Sequence, residues 1–179
     1  MFIEMARAAY AAGANYFYRI NDDTELIKHW PRAFVNSLES LSSPFGVVGP
    51  FCDQGNKMIL THDFVHRTHM EIFEMNYYPP ELTDWWMDDW ISLVYGQTRT
   101  FKARDITVIH HTGAHGQRYT VDHSHQGLLE DLVERGRKKI RQFMLKNSMT
   151  GKELAVFDKD NYEAGFTHRD IPNSVKQKK

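Results

Sequence analysis

The sequence has a single cysteine, Cys52, in 179 residues. That excludes an internal disulfide and any CxxC metal knuckle. There is no surplus of charge of either sign: 22 Lys and Arg stand against 23 Asp and Glu, a formal net charge of −1. A near-neutral chain has no broad basic surface with which to grip a phosphate backbone, so the balance argues against nucleic acid as the partner. Long hydrophobic runs are also missing. No stretch reaches membrane-spanning length, and Glu4 and Arg7 interrupt the apolar start from Met1 to Ala12, which does not read as a signal peptide. The expectation is a chain with no membrane span, cytoplasmic by default. No internal repeat is visible.

What is present is a globular composition, with 41% hydrophobic and 13% aromatic residues. The length suits one domain with a sizeable core. Ten histidines are many for this length, and they cluster in the middle of the chain.

Local patterning predicts alternating strands and helices. Phe2 to Ala12 is alanine-rich and reads as a helix stopped by Gly13. Asn15 to Ile20 reads as a strand. Glu25 to Leu41 reads as helix, with Pro31 opening a second segment at its first position. Phe45 to Val48 reads as a short strand closed by Gly49-Pro50, Met58 to Leu60 as a further strand, and Val65 to Phe73 as a helix. Trp86 to Tyr95 is a helix with acids in its first turn, where the dipole favours them. Ile106 to His110 is a strand. Gly127 to Lys146 is an amphipathic helix carrying Asp131–Arg135 and Glu134–Lys138 pairs at i, i+4. From Ser148 the pattern dissolves. The expectation is therefore an α/β domain over residues 1–147, a mixed β-sheet flanked by helices, followed by a polar tail over 148–179.

Three stretches carry candidate chemistry. "YRINDDTEL" ends a strand in Asn21-Asp22-Asp23, and ligands in α/β sheets sit beyond the carboxyl ends of strands. Two readings stay open for these acids: a helix cap, or carboxylates for a hard divalent cation shared with phosphate. "DWWMDDW" sets Asp88-Asp89 among Trp85, Trp86 and Trp90. A carboxylate partly desolvated by aromatics is a good general base, and aromatic faces stack on sugar rings; the alternative is an ordinary amphipathic helix with acids at its N-terminus. "VIHHTGAHGQRY" ends a strand in His110-His111, followed by His115 and Arg118. Imidazole can complete a metal shell and arginine can hold phosphate.

The order of these stretches, with "HRTHMEIF" and its Arg67 between the first two, resembles the C-terminal half of GT-A-type nucleotide-sugar glycosyltransferases, over about Met5 to Tyr119. The resemblance implies a partial GT-A architecture and a metal-dependent glycosyltransferase that moves a sugar from a nucleotide-sugar donor to a glycan or other acceptor hydroxyl, with inversion. Asn21-Asp22-Asp23 matches the family's acidic motif, with Asn in the first place. Asp23 would then be the principal ligand of Mn²⁺ or Mg²⁺, and Asp22 would support it or contact the ribose. Asp88-Asp89 matches the later acidic pair, with Asp89 as the base. His110 or His111 would be the late metal ligand. Asn21, Trp85, Trp86, Arg67, His115 and Arg118 would contact substrate. In the family a nucleotide-binding region of on the order of a hundred residues precedes the acidic motif. Here 20 residues precede Asn21, so an upstream domain or a partner would supply that half.

Two other readings compete. "HDFVHRTH" sets His62, His66 and His69 at i, i+4 and i+7, one face of a helix, and so suggests a metal-dependent hydrolase. Alternatively Tyr77, Tyr78, Trp85, Trp86 and Trp90 would form the aromatic surface of a non-catalytic carbohydrate- or partner-binding module.

Overall fold

The computed structural model describes residues 2–41, 43–54, 56–83, 85–113 and 123–160. It is α/β, with a mixed five-stranded sheet and six helices. The chain opens with helix α1 (Phe2–Ala11) and strand β1 (Tyr16–Arg19). Then come β2 (Thr24–Leu26), α2 (Pro31–Glu39), β3 (Val47–Cys52), β4 (Asp63–His66) and α3 (Thr68–Ile72). The second half holds α4 (Met87–Val94), β5 (Thr100–His110), α5 (Leu129–Lys146) and α6 (Gly151–Lys159).

The strand order is β1-β4-β3-β5-β2. β4 runs antiparallel to β1 and β3, β5 runs parallel to β3, and β2 runs antiparallel to β5. Strands β1, β3 and β5 therefore point the same way. Their carboxyl ends meet along one edge of the sheet, together with the start of β4 and the turn into β2. Such an edge is where open α/β sheets bind ligands.

Strand alternation divides the core in two. Tyr16 and Tyr18 face α2 and pack with Trp30, Phe34, Leu38, Val48 and Phe64. Phe17, Val47 and Val65 face the other helices and pack with Met70, Trp90, Ile91, Val133 and Ile140. Pro31 occupies the first turn of α2, where its missing N–H costs nothing, and Phe34 and Leu38 lie one turn apart on the buried face. Each such side chain contributes roughly 1.5–3 kcal/mol by leaving water.

Several boundaries depart from the sequence reading. Thr24 to Leu26 is a strand and not the start of a helix, because it completes a ladder with the end of β5. β3 runs through Gly49-Pro50 instead of ending there. Its pairing with β5 shifts register between Pro50 and Phe51, and a bulge is where a strand tolerates proline. Met58 to Leu60 is not a strand; β4 comes just after it. The stretch expected as tail contains α6, opened by a Thr150–Glu153 capping box. α6 buries Phe157, and Asp160 after it accepts from the backbone N–H groups of Gln97 and Thr98. Among the described residues no helix is long and apolar enough to cross a membrane.

Candidate functional site

The site is built on β1. Its alternation puts Arg19 at an inward position, directly opposite Asp63 in the β1–β4 ladder. Both are buried. Arg19 Nε stands 3.4 Å from Asp63 Oδ2 and donates to the Tyr78 hydroxyl at 2.9 Å. Arg19 Nη1 donates to the Thr61 carbonyl at 2.6 Å and to Asn21 Oδ1 at 3.2 Å, and Nη2 pairs with Asp88. Asp63 accepts from the Tyr77 and Tyr78 hydroxyls at 2.7 and 2.6 Å. Burial pushes the Asp63 pKa up, and Arg19 with the two hydroxyls pulls the other way. Because Tyr78 accepts from Arg19, its proton points at Asp63. With both oxygens accepting, the carboxylate is held as the anion.

Beyond Arg19 the chain turns, and Asn21 and Asp23 swing toward the end of β5. Asp23 Oδ1 lies 2.8 Å from His110 Nε2, and Asn21 Nδ2 lies 3.2 Å from the same nitrogen. The backbone locks this approach, since Thr24 pairs with His110 and the His111 N–H donates to the Asp23 carbonyl at 2.9 Å. Close as it is to His110, Asp23 Oδ1 is buried and makes no aligned hydrogen bond among the described residues. An orphaned carboxylate oxygen beside an imidazole fits a hard divalent cation, which takes few protein ligands and leaves the rest to phosphate. Asp23 and His110 could hold it.

His62, one residue before β4, comes to the same edge. Its Nε2 is 3.3 Å from Thr24 Oγ1, and its ring stacks edge-on to His110 with centroids 5.3 Å apart. Burial, with Arg19 nearby, lowers its pKa to about 3, so it is neutral. Cys52, the last residue of β3, is buried beside them, and its thiol donates to the Gln54 carbonyl at 3.0 Å.

The acid pair sits at the opening turn of α4. Asp88 is taken up by Arg19. Asp89 is half-buried, and that burial raises its pKa against the pull of its own backbone N–H. Just before them, Trp86 adopts a left-handed backbone with φ 72°. That is a strained conformation for a bulky residue, and such strain clusters at functional sites. Trp85 and Trp86 are both half-exposed, and Trp86 packs on the His123 ring at 5.8 Å.

Of the expected site residues, Asn21, Asp23 and His110 come together, and Arg19 ties Asp88 to them. Asp22 is an exposed turn residue. His111 faces outward and reaches Glu25 Oε2 at 3.0 Å, because neighbours on a strand point to opposite faces. Arg67 is a correction: it follows β4 at the far end of the sheet, stacks on Tyr10 at 4.4 Å, and pairs with Glu71. His115 and Arg118 lie outside the described residues.

The competing readings lose their geometric premises. Asp63–His66 is a strand, since its apolar residues alternate between the two cores, so His62, His66 and His69 share no helix face. His69 is fully buried between the Tyr95 hydroxyl and the Tyr77 carbonyl, each at 2.7 Å. Tyr77, Tyr78 and Trp90 are core residues, which leaves no five-residue aromatic surface.

Sequence reading missed Arg19, Asp63 and Cys52 as members of this edge. The signal for the first two was a charged residue at an inward strand position in "YFYR" and in "DFVH". No protein-family model, curated protein or solved structure matches the chain. Its chemistry therefore rests on the residues themselves.

Proposed function

We propose that the chain is the acceptor- and metal-binding part of a nucleotide-sugar glycosyltransferase. The observation that carries this reading is the meeting of Asn21, Asp23 and His110 beyond the strand ends, with Asp88 of α4 linked to Asn21 through Arg19. Asp23 and His110 would hold Mn²⁺ or Mg²⁺. A divalent cation there would offset the charge that develops on a departing nucleoside diphosphate.

The chain's own residues have distinct parts in this scheme. Asp89, whose burial raises its proton affinity, takes the proton from the acceptor hydroxyl as that oxygen attacks the anomeric carbon. Direct displacement of this kind inverts the sugar. Trp85 and Trp86 offer half-exposed faces for stacking on sugar. Arg19 fixes Asp88 and Asn21 at once and so keeps the two halves of the site in register. The nucleotide base would be bound by an upstream domain or a partner.

The test is a titration of Mn²⁺ and Mg²⁺, with and without UDP or GDP, read by thermal stability. The expected outcome is a weak shift with metal alone and a larger one with metal and nucleotide together. It is run on the chain alone and on the chain joined to its upstream sequence. No metal-dependent shift in either form rules the reading out.

A further inference from the structure

We infer that Cys52, His62 and His110 form a binding site for a zinc-class divalent cation, held by one thiolate and two imidazoles. Cys52 Sγ and one ring nitrogen from each histidine lie within 4.8 Å of one another. Ligands on a common tetrahedral zinc stand roughly 3.4–3.7 Å apart, given zinc–nitrogen and zinc–sulfur bonds of about 2.1 and 2.3 Å. The three groups need to close by only about 1 Å, the scale of small side-chain rotations.

A second observation points to a ligand. His62 and His110 are buried, and the Nδ1 atom of each has no hydrogen-bond partner among the described residues. The choice of tautomer does not remove the problem. If Nδ1 carries the proton it is a buried donor without an acceptor, and if it does not it is a buried acceptor without a donor. Native interiors seldom leave such groups unpaired, and a bound ion is one of the recognised explanations.

The trio is held by the sheet. Cys52 ends β3 in register with Val108 of β5, and His110 follows two residues on. His62 reaches the same edge because Gly49 lets its backbone lie against β3. A Cβ at position 49 would strike the His62 carbonyl oxygen. Sites anchored on strands keep their ligands in place before the ion arrives.

The donor set decides the metal class. Thiolate and imidazole suit Zn²⁺, and Co²⁺ as its spectroscopic substitute, whereas Mg²⁺ and Mn²⁺ prefer oxygen. As the ion binds, the Cys52 S–H proton passes to solvent and the sulfur–metal bond forms; the histidines bind neutral, and no electron changes hands. Three protein ligands leave a fourth position open, and Asp23 contacts the other ring nitrogen of His110, Nε2, at 2.8 Å. The inference stands on this trio and not on glycosyl transfer. It shares His110 with that reading, and Cys52 separates the two.

The test uses chelator-treated full-length chain titrated with Co²⁺ and then Zn²⁺, with no nucleotide present. The expected result is one equivalent of Co²⁺ with a near-ultraviolet thiolate-to-cobalt charge-transfer band, bleached by one equivalent of Zn²⁺. Cys52→Ser should lose the band and bind Co²⁺ more than about a hundredfold more weakly, beyond the roughly 10–100-fold that a missing outer-shell partner costs. Asp22→Asn, at an exposed turn position, should keep the band. A wild-type chain that shows no such band at saturating Co²⁺ overturns the inference, whatever the variants do. Unchanged cobalt affinity in a folded His62→Gln chain also overturns it.

Discussion

Two polar clusters share one edge of the sheet, and they differ in how well they are satisfied. Around Arg19 and Asp63 the polar groups have partners: two tyrosine hydroxyls, a backbone carbonyl, Asn21 and Asp88 surround the pair. Around His110 the opposite holds. Asp23 Oδ1 and the Nδ1 atoms of His62 and His110 are buried without hydrogen-bond partners among the described residues. A saturated buried network rigidifies the fold, whereas an unsaturated one costs stability unless something else supplies the missing partners. The difference fits a structural part for the first cluster and the ligand-binding part that we propose for the second.

Breaking the saturated cluster should have the largest effect. Arg19→Met leaves the buried Asp63 carboxylate without its cation and is expected to cost about 3–5 kcal/mol, the usual range when one partner of a buried pair is removed. Cys52→Ser in the other cluster should cost about 1 kcal/mol, a typical single-site value. Urea unfolding midpoints of both variants test the contrast. Equal losses would collapse it.

The same contrast divides the α4 acids. Asp88 belongs to the saturated network through Arg19, and Asp89 does not. In a chain with transferase activity, Asp89→Asn should lower kcat by about 10²–10⁴-fold with little change in donor KM, as expected for a positioned base. Asp88 is partly exposed, so Asp88→Asn should cost about 1 kcal/mol or less of stability and less activity than Asp89→Asn. If Asp88→Asn is inactive while Asp89→Asn is not, the roles are reversed.

The two most buried histidines sharpen the comparison further. His69 has a partner on each ring nitrogen, whereas His62 has one nitrogen bare. Burial lowers the His69 pKa to about 4, against an ordinary value of 6.5. The unfolded chain therefore binds more protons between those values, and unfolding free energy falls as the solution is acidified. The contribution is complete above pH 6.5 and is lost progressively down to about pH 4. It amounts to about 3 kcal/mol at most, since one pKa unit is worth about 1.4 kcal/mol. Urea titrations across this range should lose that part of the slope in His69→Gln. An unchanged slope would mean that other groups carry the acid sensitivity.

These contrasts also explain what the sequence made legible. Strands and helices with strong periodicity, such as "YFYR" and the Leu129–Lys146 helix, could be read because one face of each is apolar. The strand at Asp63–His66 could not, because its charged and aromatic residues mimic a helical histidine spacing. Only its pairing with β1 and β3 decides its state. The Asn21, Asp23 and His110 grouping followed from the rule that strand ends carry ligands. Cys52 was invisible because a lone thiol has no local pattern, and what brings it to His110 is a parallel ladder across 58 residues of chain, from 52 to 110. Arg67 was misplaced for the converse reason: its motif is near in sequence, yet the strand before it carries it to the other end of the sheet.

The smallest effect should come from Asp22, the acid beside the proposed metal ligand. Asp22 and Asp23 are adjacent in an exposed turn, but only Asp23 is drawn inward, because its carbonyl accepts from the His111 N–H and its side chain then meets His110. Asp22 is exposed. Asp22→Ala should therefore change stability by no more than about 0.5 kcal/mol, the usual range for a surface site. It should leave Mn²⁺-dependent nucleotide binding within about twofold of wild type, since a lone exposed charge loses most of its reach to screening. Asp23→Asn keeps the size of the side chain but removes the charge that a hard cation needs, so the metal-dependent part of the thermal shift should vanish. Isothermal titration of each variant with Mn²⁺ and nucleotide separates the two acids. If Asp22→Ala is the variant that loses metal, the inward turn of Asp23 serves only to seat β2 against β5, and the hard-cation site lies on the outer face of the turn.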